Sequence, residues 1–198
     1  MKVLWIVIYF AVLIWSAVNP KDYLVWLLEA GPMIAGGMIL LATYKRFRLT
    51  PLSYFWLLLF FMIFAVGGHY TYAEVPLFNY IKEVCGHSRN NFDKLAHLLQ
   101  GIVPAIVARE VYVRKKVFSS RWWMNFGVVC FCLALSAFYE LIEWWVALIS
   151  ERAAHSFLGT QGYVWDTQSD MGLALLGSIL ALAIYSKLHD RQIEELTE

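Results

Sequence analysis

The amino-acid sequence predicts an all-α membrane protein in which a single domain, residues 1–198, forms a bundle of six transmembrane helices. Hydrophobic residues make up 60% of the chain and charged residues only 16%, whereas a soluble domain carries about 25% charged residues. Six apolar stretches approach or exceed the roughly 20 residues that cross a bilayer. No polar stretch is long enough to form a separate soluble domain.

The six predicted spans are residues 4–18, 23–44, 52–66, 92–113, 122–149 and 171–188. The first follows Lys2 like a signal-peptide core, but Asn19-Pro20-Lys21 makes a poor cleavage site, so a retained helix is expected. The first and third spans are short and should tilt or extend at their ends. The fifth exceeds the bilayer at about 1.5 Å per residue, so one end should protrude.

Basic residues set the orientation of the predicted helices. Eleven of the sixteen Lys and Arg residues fall on one side, and five on the other. The eleven are Lys2, Lys45, Arg46, Arg48, Arg109, Arg114, Lys115, Lys116, Arg121, Lys187 and Arg191. The five are Lys21, Lys82, Arg89, Lys94 and Arg152. The positive-inside rule therefore predicts that both termini are cytoplasmic. A net charge of +1 gives no case for nucleic acid as a partner.

Ionisable residues cluster in the outer part of the predicted bundle. Asp93, His97 and Gln100 share one face of the fourth span, at i, i+4 and i+7. Glu140 and Glu143 lie far along the fifth span, and Asp166 and Asp170 directly precede the sixth. Ionisable groups in membrane helices usually face the protein interior, and the sixth helix is rich in small residues that permit close approach. We therefore predict one polar pocket containing Asp93, His97, Glu143 and Asp170, which Glu140 can also enter.

Each of these residues also has a structural interpretation. Asp93 can interact favourably with the positive end of the helix dipole, and His97 can be a hydrogen-bonded core histidine. Asp166 and Asp170 can cap the sixth helix. Glu140 and Glu143 are harder to explain in this way, because two carboxylates one turn apart in an apolar helix repel each other. The pair needs a cation, a basic partner or protonation.

Two outer segments, residues 67–91 and 150–170, are longer than a connection needs. The first is too apolar for a solvated tether, so we expect it to be ordered and to pack over the bundle as a lid. Gly67 and Gly68 are expected to end the third helix. The cytoplasmic connections are short and basic and give no sign of a site.

Four strings together resemble the YjdF family of bacterial inner-membrane proteins over nearly the whole chain. They are GGHYTYAEVP (67–76), NNFDKLAH (90–97), YELIEW (139–144) and WDTQSDM (165–171). The resemblance implies an inner-membrane location. Residues 90–185 are also similar to VanZ-like membrane proteins, which combine an acid-Lys-x-x-His helix start, a helix with a Glu and an Asp that opens a small-residue helix. The VanZ helix often reads Glu-x-x-Gln where this chain has Glu140 and Glu143.

Three functions are consistent with these features. The first is an enzyme acting on a lipid or lipid-linked substrate at the outer leaflet of the lipid membrane, assisted by a divalent cation such as Mg²⁺, Ca²⁺ or Mn²⁺. The predicted metal ligands are His97, Glu143, Asp166 and Asp170. The catalytic candidates are His97, Glu143, Glu140 and Asp93. The substrate-binding candidates are Arg89, Lys94, His69 and Tyr72. The second function is small-molecule or proton-coupled binding and transport, and the third is a structural membrane subunit. The oligomeric state stays open.

Overall fold

The computed structural model describes residues 2–149 and 161–197, and these residues form helices without any strand. In chain order the helices are α1 (Lys2–Ala17), α2 (Tyr23–Thr43), α3 (Pro51–Tyr70), α4 (Pro76–Cys85), α5 (Phe92–Arg114), α6 (Arg121–Ile149) and α7 (Asp166–Thr197). Residues 150–160 of the second outer segment, including Arg152, lie outside the described residues. The all-α prediction is therefore confirmed for the part that is described.

Within the described residues, four helices are long and apolar enough to cross a membrane: α2, α3, α6 and α7. α1 is apolar but has only 16 residues. α5 has 23 residues but carries charged side chains in its first and last turns. α7 extends beyond the sixth predicted span, residues 171–188, at both ends, since it begins at Asp166 and runs to Thr197.

The prediction that Gly67 and Gly68 end α3 was wrong, because the helix continues to Tyr70 and its cap, Thr71, adopts the left-handed conformation at φ 58°. The glycines instead allow close packing. A Cβ on Gly67 would lie 2.1 Å from Cε2 of Tyr72, and one on Gly68 would lie 3.1 Å from Cβ of Glu29. Tyr72 can therefore fold back against α3.

The backbones of α5 and α7 touch, and no other helix pair among the described residues has as extensive a contact. A Cβ on Gly101 would lie 2.0 Å from the Ala174 carbonyl oxygen, and one on Gly177 would lie 2.2 Å from the Leu98 carbonyl oxygen. The small residues of α7 thus permit the close approach that the sequence predicted, and their partner is α5. This contact aligns the first turns of the two helices.

Aromatic side chains fill the space between α1, α3 and α5, where Tyr9, Phe61, Phe64 and Phe92 are buried. The outer surface of the bundle is also apolar, and the side chain of Leu41, for example, is 81% exposed. Soluble monomers rarely expose such large contiguous apolar surfaces. The exposed apolar residues therefore match a lipid environment.

The segment 67–91 is folded onto the bundle, as predicted. Val75 is buried, and Phe78 of α4 packs against the aromatic core. The buried Asn90 side chain donates hydrogen bonds to the Val75 carbonyl (3.1 Å) and to Oδ1 of Asn79 (2.9 Å). Asn90 also exchanges two backbone hydrogen bonds with the side chain of Gln161. The segment is thereby tied to the residues that precede α7.

Candidate functional site

Ionisable side chains from four helices meet at the end of the bundle where α5 and α7 begin. We call this set the acidic cluster. Its members are Glu29, Arg89, Asp93, Lys94, His97, Glu140, Glu143, Asp166 and Asp170. The predicted convergence of Asp93, His97, Glu143 and Asp170 is present in the structure, and Glu140 joins it.

His97 lies at the centre of the acidic cluster. Its Nε2 atom is 3.4 Å from Oδ1 of Asp93 and 3.8 Å from Oε1 of Glu140. Two groups of possible ligands share this histidine, one with Asp93 and Asp170 and the other with Glu140 and Glu143. Within each group the ligand atoms lie within 4.8 Å of one another. The i, i+4 spacing on α5 places Asp93 and His97 on one face, and burial turns the two glutamates of α6 inward.

The two cations of the cluster join the first turn of α7 to α5. Nζ of Lys94 contacts Oδ1 of Asp166 at 2.7 Å and Oδ1 of Asp170 at 2.8 Å, and it also donates to the Ser169 hydroxyl. Arg89 pairs with Asp166 at 2.5 Å and with Asp93 at 3.5 Å. Lys94 and Arg89, predicted to bind substrate, are thus engaged with carboxylates. Asp166, predicted as a metal ligand, lies between these cations and in neither His97-centred group.

The acidic cluster holds more carboxylates than cations. Six carboxylates face two permanent cations and one histidine, and Glu29, His97, Glu140, Glu143 and Asp170 are each no more than 9% exposed. Among the described residues, Nδ1 of His97 and Oε1 of Glu140 have no hydrogen-bond partner. An unsatisfied buried polar atom costs about 1–3 kcal/mol. The excess of negative charge in the cluster can therefore be neutralised by protons or by a bound cation.

Two tyrosines complete the edge of the cluster beside α2. The Tyr139 hydroxyl donates a hydrogen bond to Oε2 of Glu29 at 3.0 Å. Tyr72, which precedes α4, also lies next to Glu29, and burial raises the pKa of its hydroxyl well above the ordinary value. The sequence analysis did not select Tyr139. Its position one helical turn before Glu143 was the available signal.

His69 does not belong to the site, contrary to the sequence prediction. Its Nδ1 atom lies 3.1 Å from the Ser16 carbonyl oxygen, and its ring stacks on Trp15 with the centroids 4.6 Å apart. The physical reason is that α3 continues through Gly67 and Gly68. His69 therefore lies on a helix face directed toward α1 instead of in a loop above the cluster.

A second polar network, at the opposite end of the bundle, was missed by the sequence analysis. The fully buried Glu110 carboxylate accepts hydrogen bonds from the Thr50 backbone (3.0 Å) and the Ser53 hydroxyl (2.6 Å). It also pairs with Arg114 at 2.9 Å and lies 3.3 Å from Nε2 of His189. We call these five residues the inner-end network, because the sequence predicts that this end of the bundle faces the cytoplasm. An acid within the fourth span was the sequence signal, but the adjacent basic residues concealed it.

Comparisons with known proteins place the chain in a family. A family model described as "Predicted membrane protein (DUF2238)" matches residues 1–191. The chain is 48% identical over 182 residues to the "Inner membrane protein YjdF" of Escherichia coli (strain K12), covering 92% of this chain and 87% of the relative. No solved structure matches the chain. The similarity to VanZ-like proteins stays a prediction. The match covers nearly the whole chain, and with the identity to the relative it shows that this chain belongs to the DUF2238 family of membrane proteins.

Proposed function

We propose that the chain crosses the bacterial inner membrane six times, with α1 and α5 as the additional spans and both termini in the cytoplasm. α5 is about 35 Å long at 1.5 Å per residue, enough for a hydrocarbon core of about 30 Å. Its charged residues lie toward its two ends, with Asp93 and Lys94 in the first turn and Arg109, Glu110 and Arg114 within the last six residues. The orientation is supported by the eleven-to-five distribution of basic residues.

We further propose that the acidic cluster binds a divalent cation and acts on a lipid or lipid-linked substrate at the outer leaflet. The observation that supports this is the pair of ligand groups that share His97. Ligands on opposite sides of an ion, each about 2.1–2.4 Å from it, are about 4.2–4.8 Å apart. The ligand atoms of each group lie within that distance of one another, so an ion fits with small side-chain movements.

The donor set favours particular ions. Carboxylate oxygens alone suit Mg²⁺ or Ca²⁺, whereas one imidazole among carboxylates also suits Mn²⁺ or Zn²⁺. Such a cation would polarise a phosphate or carbonyl oxygen of the substrate. If Asp93, His97 and Asp170 hold the ion, Glu140 or Glu143 is placed to accept a proton as general base. Lys94 and Arg89 could bind an anionic head group only if it replaced Asp166 as their ion-pair partner.

The alternatives differ in what balances the excess carboxylates. In a proton-coupled binding or transport protein, bound protons would neutralise the excess carboxylates. The hydrogen bond from the Tyr139 hydroxyl to Glu29 favours this second candidate. A structural subunit would need only the ion pairs of Lys94 and Arg89, which already hold α5 and α7 together. Of these three functions, only the cation-dependent enzyme requires a metal ion in the purified protein.

Metal content therefore tests the proposal. We expect the full chain, purified in detergent and incubated with Mn²⁺ or Zn²⁺, to retain about one ion per chain after desalting. His97→Ala should lose that ion because both ligand groups share His97, and Glu143→Gln should bind it more weakly. The exposed His87 provides the matched control, and His87→Ala should retain the ion. Metal-free wild-type protein, or equal metal in all four proteins, would contradict the proposal and favour a proton site or a structural role.

A further inference from the structure

We propose that the end of the bundle opposite the acidic cluster carries a second binding site, which takes the phosphate group of an anionic ligand. A cavity of about 280 Å³ lies there between α5, the start of α6 and α7. We call it the inner-end cleft. Its polar lining consists of Arg109, Lys116, Ser119, Ser120, Arg121 and Asp190. The site is independent of the proposed metal ion.

The inner-end cleft has an excess of positive charge. Asp190 accepts contacts from Nη2 of Arg109 at 2.5 Å and from Nη2 of Arg121 at 3.1 Å. Lys116 forms no ion pair with any residue in the described ranges. One carboxylate thus faces three cations, and an anion carrying one or two negative charges would balance them.

Arg109 provides the observation that points to a ligand. Its side chain is only 3% exposed, yet within residues 2–149 and 161–197 its Nε and Nη1 atoms have no hydrogen-bond partner. Leaving buried donors of a charged group unsatisfied is costly. A guanidinium presents donors in a fork that matches the oxygens of a phosphate. Because Arg109 also lines the inner-end cleft, a phosphate there would supply the kind of acceptor that these donors lack.

The backbone around the cleft also favours an anion. α6 begins at Arg121, directly after Ser119 and Ser120, so its first backbone N–H groups and the positive end of its dipole are at the cleft. Lys116 adopts φ 51°, a left-handed conformation that normally favours glycine. The backbone conformation alone would favour glycine at position 116, whereas lysine there adds a cation to the cleft.

The apolar part of the lining favours a lipid phosphate. Tyr112, Phe118 and Met124 form this wall, and the ring centroids of Tyr112 and Phe118 are 5.2 Å apart. Trp122 and Trp123, next to the cleft, are exposed as interfacial tryptophans commonly are. At about 280 Å³, the cavity lies just below the usual range of ligand sites, about 300–1,000 Å³. A head group fits within it, while acyl chains would extend into the membrane.

Binding of dioctanoyl phosphatidic acid to the full chain in detergent tests this proposal, with inorganic phosphate as a second probe and dioctanoylglycerol as the phosphate-free control. Lys116→Gly suits the left-handed backbone and removes one cation, and Arg121→Gln removes another that is largely exposed. We expect each variant to raise the Kd of phosphatidic acid about tenfold, which corresponds to about 1.4 kcal/mol and is close to the low end for a hydrogen bond to a charged group. The neighbouring Lys115 does not line the cleft, so Lys115→Gln should leave the Kd within twofold.

The second probe identifies the source of the phosphate. If phosphatidic acid binds and millimolar inorganic phosphate does not compete, the ligand is a lipid head group. If inorganic phosphate binds with the same sensitivity to Lys116→Gly, the site takes free phosphate esters. The proposal is overturned if neither probe binds wild type more tightly than the Lys116→Gly/Arg121→Gln variant. It is also overturned if Lys115→Gln weakens binding as much as Lys116→Gly, or if dioctanoylglycerol binds as well as phosphatidic acid.

Discussion

The contact between α5 and α7 makes Gly177→Ala a sharp test of the fold. A methyl group on Gly177 would lie 2.2 Å from the Leu98 carbonyl oxygen and 3.1 Å from the Ile102 nitrogen. Because both neighbours are backbone atoms, no side-chain rotation relieves the clash. The helices would have to separate by about 1 Å, and overpacking of this kind costs about 1–3 kcal/mol.

Gly172→Ala is the matched control on the same helix. Gly172 is exposed, and a Cβ there would meet no atom within 4 Å. Replacing a helical glycine by alanine stabilises a helix by about 0.5–1 kcal/mol. Both variants share this gain, so they should differ by the overpacking cost alone, about 1–3 kcal/mol. For a chain of this size each kcal/mol shifts Tm by about 2–4 °C.

Thermal unfolding of both variants in the same detergent measures the difference. We expect Gly177→Ala to melt several degrees below wild type and Gly172→Ala at or above it. Separation of α7 would also draw Asp170 away from Lys94 and His97, so Gly177→Ala should weaken metal binding as well. A Gly177→Ala protein that melts at or above the Gly172→Ala protein would refute the close contact between α5 and α7.

Two further predictions concern the inner-end network and the topology. Glu110→Gln should destabilise the protein by about 3 kcal/mol, because it leaves Arg114 without its carboxylate partner. Glu194→Gln, at an exposed position, is the control and should change stability by less than about 0.5 kcal/mol in the same unfolding assay. A reporter fused after Glu198 should be active as a fluorescent protein and inactive as alkaline phosphatase, since the distribution of basic residues predicts a cytoplasmic C-terminus. The reverse pattern would contradict the proposed orientation and the proposed position of the acidic cluster at the outer leaflet.

Much of the candidate site could be predicted because helical periodicity acts locally. The i, i+4 spacing of Asp93 and His97 placed both on one face, and the burial cost of Glu143 required it to point inward. The position of these residues at one end of the bundle followed from the lengths of their helices. The roles of Arg89 and Lys94 could not be predicted in the same way. Whether a cation binds a substrate or a neighbouring carboxylate depends on residues about 70 positions away, as in the Lys94–Asp166 pair.

The sequence by itself determined that the chain is helical and apolar, and it placed ionisable residues together at one end of the bundle. Composition and periodicity carry that information because each residue contributes to it separately. Only the tertiary structure decided that His69 contacts Ser16 and not the acidic cluster, and that Glu110 is the centre of a buried network. It also showed which atoms of Arg109 lack partners. These outcomes depend on how far each helix extends and on backbone contacts such as that of Gly101 with Ala174, and both are set by packing between segments distant in sequence.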